Sequence, residues 1–184
     1  MNHKKFKYTA EFFVDKVYAS TDVEFLNIST ASLDHLEGLI PDNINLDKNI
    51  DLVAVAFDAA VVNSFNKNGD GINTNSAISV ADMFIHKPCN VEHQKEKVVG
   101  HIVSAGYSKY GGNQTIRPES ITGNELFNIS LGAVVYKTVA PDFAEMILES
   151  SDPNSESYQE ISASWEIGFN EYAIAIGDDV DSAE

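Results

Sequence analysis

The run Leu52-Val-Ala-Val-Ala-Phe57, closed by Asp58 and resumed as Ala-Ala-Val-Val62, is the strongest constraint on the fold. It is apolar, rich in valine and free of Gly and Pro, so it predicts a buried strand over Leu52 to Val62. Four further segments have strand character: Tyr8 to Tyr18, Lys97 to Tyr107, Glu125 to Tyr136 and Tyr158 to Phe169, with Tyr172 to Ile176 as the return of a hairpin. Helical signals are short. Leu33, Leu36 and Ile40 are spaced for a helix that Pro41 ends. Asn75 or Ser76 can cap another running to about Phe84, and Pro141 to Glu149 opens on a proline suited to a first turn. Asn66 to Gly71, Gly111-Gly112 and Asp152 to Ser157 read as turns or loops. The strands are not separated by regular helices. The expected class is therefore α+β, a mostly antiparallel β-barrel or sheet of about six or seven strands with a few short helices. We expect one domain over 1–177 and an acidic C-terminal tail over 178–184.

Charge is the next constraint. The chain has 184 residues and a net charge of −16, unevenly spread. Up to Arg117 there are 11 basic and 14 acidic residues; beyond it Lys137 is the single basic residue against 14 acidic ones. Such a half repels nucleic acid, so no nucleic-acid partner is expected. No window is long and apolar enough for a membrane span, and the N-terminal lysines are not followed by the apolar core of a signal peptide. Neither a membrane nor an exported location is expected. Cys89 is the only cysteine, which excludes an internal disulfide and fits a reducing interior.

Three constellations carry chemistry. Asn66-Lys-Asn-Gly-Asp-Gly-Ile72 begins like a calcium loop, but Ala77 stands where the bidentate Glu belongs, so turn chemistry is the better reading. His93 ends the Pro-bearing segment Lys87-Pro-Cys-Asn-Val-Glu-His93, with Glu92 on the other face if that segment is extended. An imidazole suits general-base work near neutral pH, although a solitary histidine is more often structural. His86 and His101 flank it at spacings that match no common zinc pattern, so no metal or other cofactor is expected. Finally, Ile161-Ser-Ala-Ser-Trp-Glu-Ile167 puts Ser162, Ser164 and Glu166 on one face of a strand and Ile161, Ala163, Trp165 and Ile167 on the other. That is either a nucleophile strand or an ordinary solvent-facing one.

Together these segments resemble the tailed-phage prohead, or capsid-maturation, proteases, distant relatives of the herpesvirus assemblins. The likeness rests on Asn66-Lys-Asn-Gly-Asp70, on Lys87-Pro-Cys-Asn-Val-Glu-His93 followed by Val99-Gly-His-Ile102, and on Ala163-Ser-Trp-Glu166, in that order. It spans about Leu52 to Ile176. It implies an assemblin-like fold and a serine endopeptidase with His93 as general base and Ser164 as nucleophile. It further implies scaffold and major capsid precursor proteins as substrates, self-association, and a site of action in the host cytoplasm inside the immature phage head. The third catalytic member is open. Glu166 shares the face of Ser164, and Asp179 reaches that face if Asn170-Glu171 is the turn of a two-residue hairpin; His101 ranks below both. Arg117, the only arginine, is a further candidate for stabilising an oxyanion. The alternative is a catalytically inactive virion structural or scaffold-associated protein that keeps the same fold.

Overall fold

A computed structural model describes residues 7–11, 17–20, 38–66, 69–112, 114–168, 172–176 and 179–183, with side chains for 38–66, 69–112 and 114–163. In chain order the strands are β1 (Lys7–Glu11), β2 (Val17–Ser20), β3 (Leu52–Val62), β4 (Pro88–Asn90), β5 (Val98–Lys109), β6 (Thr115–Ile116), β7 (Phe127–Tyr136), β8 (Ser164–Gly168), β9 (Tyr172–Ile176) and β10 (Asp179–Ala183). The helices are α1 (Thr74–Val80), which runs into a 3-10 turn over Ala81–Phe84, and α2 (Pro141–Ser151). A second 3-10 turn covers Pro118–Ser120. The helix expected around Leu33 and Leu36 lies outside the described residues except at its end, where Gly38 and Leu39 are helical. Among the described residues no helix is long and apolar enough to cross a membrane.

The chain is α+β. Its main sheet is antiparallel in the order β2-β3-β7-β5-β4, with β6 paired to the far end of β5. It is an open sheet, which corrects the barrel form of the expectation. Closure would require β2 and β4 to pair with each other. β4 is only 3 residues long and begins with Pro88, which has no N–H to give to a ladder.

β7 lies between β3 and β5, and every residue from Phe127 to Val135 is buried. Its alternation explains both faces of the sheet. Ile129, Leu131, Ala133 and Val135 lie on one face. There Ala77, Ala81 and Phe84 pack toward one end, and Ala144 and Ile147 of α2 toward the other. The Ile, Leu, Val and Phe side chains among these contribute about 1.5–3 kcal/mol each when fully buried.

Asn128 and Ser130 lie on the opposite face and meet Asp58 of β3. Ser108 Oγ donates to Asp58 Oδ1 at 2.8 Å, Ser130 Oγ donates to the same oxygen at 2.5 Å, and Asn128 Nδ2 donates to Oδ2 at 2.9 Å. Three donors on one carboxylate account for an acidic residue in the middle of an apolar strand. The pairing of β3 with β7 shifts register at this point, between Asp58 and Ala60.

Several boundaries differ from expectation for local reasons. α1 is capped by Asn73, two residues ahead of Asn75; its side chain accepts from the Ser76 N–H at 2.9 Å. Asn63 fixes this start by holding Thr74, accepting from its N–H at 3.1 Å and donating to its Oγ1 at 2.8 Å. Tyr158 to Ala163 are not strand, and β8 begins only at Ser164. β8 pairs with β1, not with β9. β9 pairs with β10, so Asp179–Ala183, within the span read as an acidic tail, form a strand. The first pair of that ladder, Ile176↔Asp179, leaves Gly177-Asp178 between the strands. The turn expected at Asn170-Glu171 lies outside the described residues.

Candidate functional site

A cleft of about 970 Å³ opens on the face of the main sheet that carries Val55, Phe57, Leu131, Ala133 and Val135. α2 contributes Phe143 and Ile147 to its wall. Two chemically distinct segments complete it. One is the end of β4 and the turn after it, with Asn90, Glu92, His93 and Lys95. The other is Ile161, Ser162 and Ala163, immediately ahead of β8. Thus His93 and the approach to Ser164, far apart in sequence, border one cleft. Its volume lies in the range of sites that hold small ligands or a few residues of a chain.

The placement of His93 is unusual. The β4–β5 connection is closed by backbone bonds: the Gln94 N–H to the Val91 carbonyl at 2.9 Å and the Lys97 N–H to the Gln94 carbonyl at 2.9 Å. The central residues of the first turn, Glu92 and His93, have φ of 51° and 57°. Both are left-handed, in a turn with no glycine. Each such residue costs on the order of 1–3 kcal/mol and persists only where the surroundings impose it, and such strain clusters at functional sites. The turn also corrects the expectation that Glu92 points away from His93: in a turn rather than a strand, both line the cleft. Glu92 Oε2 accepts from Gln94 Nε2 at 3.2 Å. His93 is exposed.

The approach to β8 keeps part of the expected alternation. Ile161 and Ala163 pack against the core cluster of Val53, Val55, Val135, Ala144 and Ile147, and Ser162 between them is exposed. Ser164 is the first residue of β8 and stands opposite Glu11 of β1; Glu166 stands opposite Thr9. Asp179 is in β10 opposite Ile176, so the hairpin register that would have carried it to the face of Ser164 does not form.

The two other histidines among the described residues, His86 and His101, are elsewhere. His101 follows Gly100 on β5 and lies on the sheet face away from its neighbour Ile102, which lines the cleft. Its Nδ1 is 2.7 Å from the Tyr136 hydroxyl. His86 is exposed, outside the cleft lining, with φ 66°, and its N–H donates to the Ile102 carbonyl at 2.8 Å. Among the described residues no group of His, Cys, Asp or Glu is placed to hold a metal ion. Arg117 is exposed, next to the 3-10 turn Pro118–Ser120, and is not part of the cleft. Asn66 Oδ1 accepts from the Asp70 N–H at 2.9 Å and Gly69 takes φ 83°, while Lys67 and Asn68 of the loop expected there lie outside the described residues.

Lys87, Lys95 and Asn90 are site residues that the sequence did not single out. The two lysines give the cleft cationic groups in a chain of net charge −16. No periodicity could have found them, because they are brought together by a turn.

Cys89 also lines the cleft and is half-buried. Burial pushes its thiol up from the ordinary 9.0 to about 11. At pH 8 the thiolate is then about one part in a thousand, against about one in ten for an unperturbed thiol. Iodoacetamide at pH 8 should therefore alkylate native Cys89 about 100-fold more slowly than the same chain in urea, as read by intact mass. Equal rates would contradict the burial. The sign for stability follows. The unfolded thiol ionises first, so this contribution is full below about pH 9 and is lost as pH rises toward 11.

No protein-family model matches this chain, and neither a curated protein nor a solved structure matches it.

Proposed function

We propose that this chain is a serine endopeptidase of the tailed-phage prohead type, which cuts scaffold and major capsid precursors inside the immature head. The observation that carries the reading is the shared cleft. His93 on its strained turn and the residues leading directly into Ser164 line the same cavity. In this reading His93 takes the proton from Ser164 Oγ as that oxygen attacks the scissile carbonyl, and returns it to the leaving amine. Water then releases the acyl group with His93 again as base. Glu166, on the same strand as Ser164, orients the imidazole and stabilises its charged form. The acidic C-terminal half suits an enzyme enclosed in a head that later fills with DNA, because it repels that polyanion.

Labelling with a fluorophosphonate tests the chemistry directly. Wild type should be labelled on one serine, His93→Ala should be labelled at least about 100-fold more slowly, and co-expressed major capsid precursor should be shortened by wild type alone. Absence of labelling and of cleavage would leave the inactive virion protein as the reading.

A further inference from the structure

We infer that Asn90 is a substrate-binding residue, whose side-chain amide takes a backbone N–H of a polypeptide laid along the outer edge of β4. The identity of the ligand as a polypeptide rests on the endopeptidase reading; the site itself rests on three observations.

First, Asn90 lines the cleft together with His93 and Ser162. Second, its Oδ1 is buried and has no hydrogen-bond partner. Buried polar side-chain atoms nearly always have a partner, so an unmatched acceptor in a cleft marks a place where a donor is missing. An asparagine at a strand end commonly serves the turn that follows. Here that turn is closed without it, by the backbone bonds from Gln94 to Val91, from Lys97 to Gln94 and from Val91 to Lys97. Third, β4 ends the strand order of the main sheet and is paired only with β5 among the described residues. A sheet edge is a template for an extended chain, which gains main-chain hydrogen bonds from it. The amide torsion of asparagine is broad, so its oxygen turns toward an incoming N–H at little cost. A chain bound in this way runs past His93, three residues further on.

The test uses the full chain carrying Ser164→Ala, so that a bound polypeptide is not cut, with fluorescein-labelled β-casein as an unfolded probe read by anisotropy. Casein should bind. Adding Asn90→Ala should weaken binding about tenfold, and Asn90→Asp, which keeps an acceptor, should stay within about threefold. Removing an unmatched acceptor should leave the thermal midpoint unchanged or higher, whereas a structural asparagine would lower it. Absence of casein binding, an unchanged Kd in Asn90→Ala, or a fall in both affinity and midpoint overturns the assignment. Fluorophosphonate labelling of the wild type separates the two claims: Asn90-dependent binding without labelling means that the chain holds polypeptide but does not cut it.

Discussion

Ser164→Ala is expected to lower kcat for cleavage of the capsid precursor by about 10⁶-fold, the scale found when one member of a serine–histidine pair is removed. His93→Ala should cost about as much, and the double variant no more, as expected of two groups proposed to act as a unit. Ser162→Ala should cost less than about tenfold, although Ser162 is exposed in the same cleft. The distinction is one of support. Ser164 is the first residue of β8, with its backbone held in register opposite Glu11, whereas Ser162 precedes the strand. A nucleophile must be held near its attack position, and a residue on a paired strand is better fixed than one outside it. All three single variants should keep the wild-type thermal midpoint. The third position is tested in the same assay: Glu166→Gln should cost up to about 10⁴-fold by leaving the imidazole in the wrong tautomer, while Asp179→Asn, whose strand pairs with β9 and not with β8, should cost little. Loss in Ser162→Ala with retention in Ser164→Ala would move the nucleophile into the loop and leave β8 without a catalytic role.

What the sequence made legible follows from how local each signal is. The strand Leu52–Val62 was readable to the residue, because an apolar run bounded by polar residues carries its own limits. The first turn of α2 was readable because Pro141 can sit there and not further in. The partners of β8 and β9 were not readable. Nearness in sequence suggested a hairpin, but pairing is decided by which edge is available and by turn chemistry, and β1 lies more than 150 positions away from β8 in the chain. The site was half legible. His93 stood out as an imidazole after a Pro-bearing segment, but its left-handed backbone did not, since neither Glu92 nor His93 is a residue that advertises positive φ as glycine does. Asp58 looked like an interruption of a strand. It is the acceptor for Ser108, Asn128 and Ser130, and the polar alternation within Phe127–Tyr136 was the sign that such an acceptor had to exist.

Gly100→Ala is expected to destabilise the protein by more than about 4 kcal/mol, which would consume most of the stability of an ordinary domain. Gly100 pairs with Cys89 of β4 on one side and Val135 of β7 on the other. A methyl group there would overlap the Val134 carbonyl oxygen and come within 3.0 Å of both the Val134 carbonyl carbon and the Val135 Cα. All three atoms are main chain. None can swing aside as a side-chain tip would, and β7 is pinned between β3 and β5 along its length. β5 must move away from β7, and β4, which carries Asn90 and leads into the His93 turn, pairs only with β5 among the described residues and moves with it. Gly111→Ala is the control: φ there is 70° and the space is open, so the cost should be about 1 kcal/mol, from the backbone alone. Urea unfolding of the two variants against wild type measures the difference. Gly100→Ala should also lose precursor cleavage in step with its stability, in contrast to Ser164→Ala, which should lose cleavage alone. A wild-type urea midpoint in Gly100→Ala would mean that β5 does not approach β7 this closely, and the position of the His93 turn, which hangs on β5 through β4, would have to be abandoned with it.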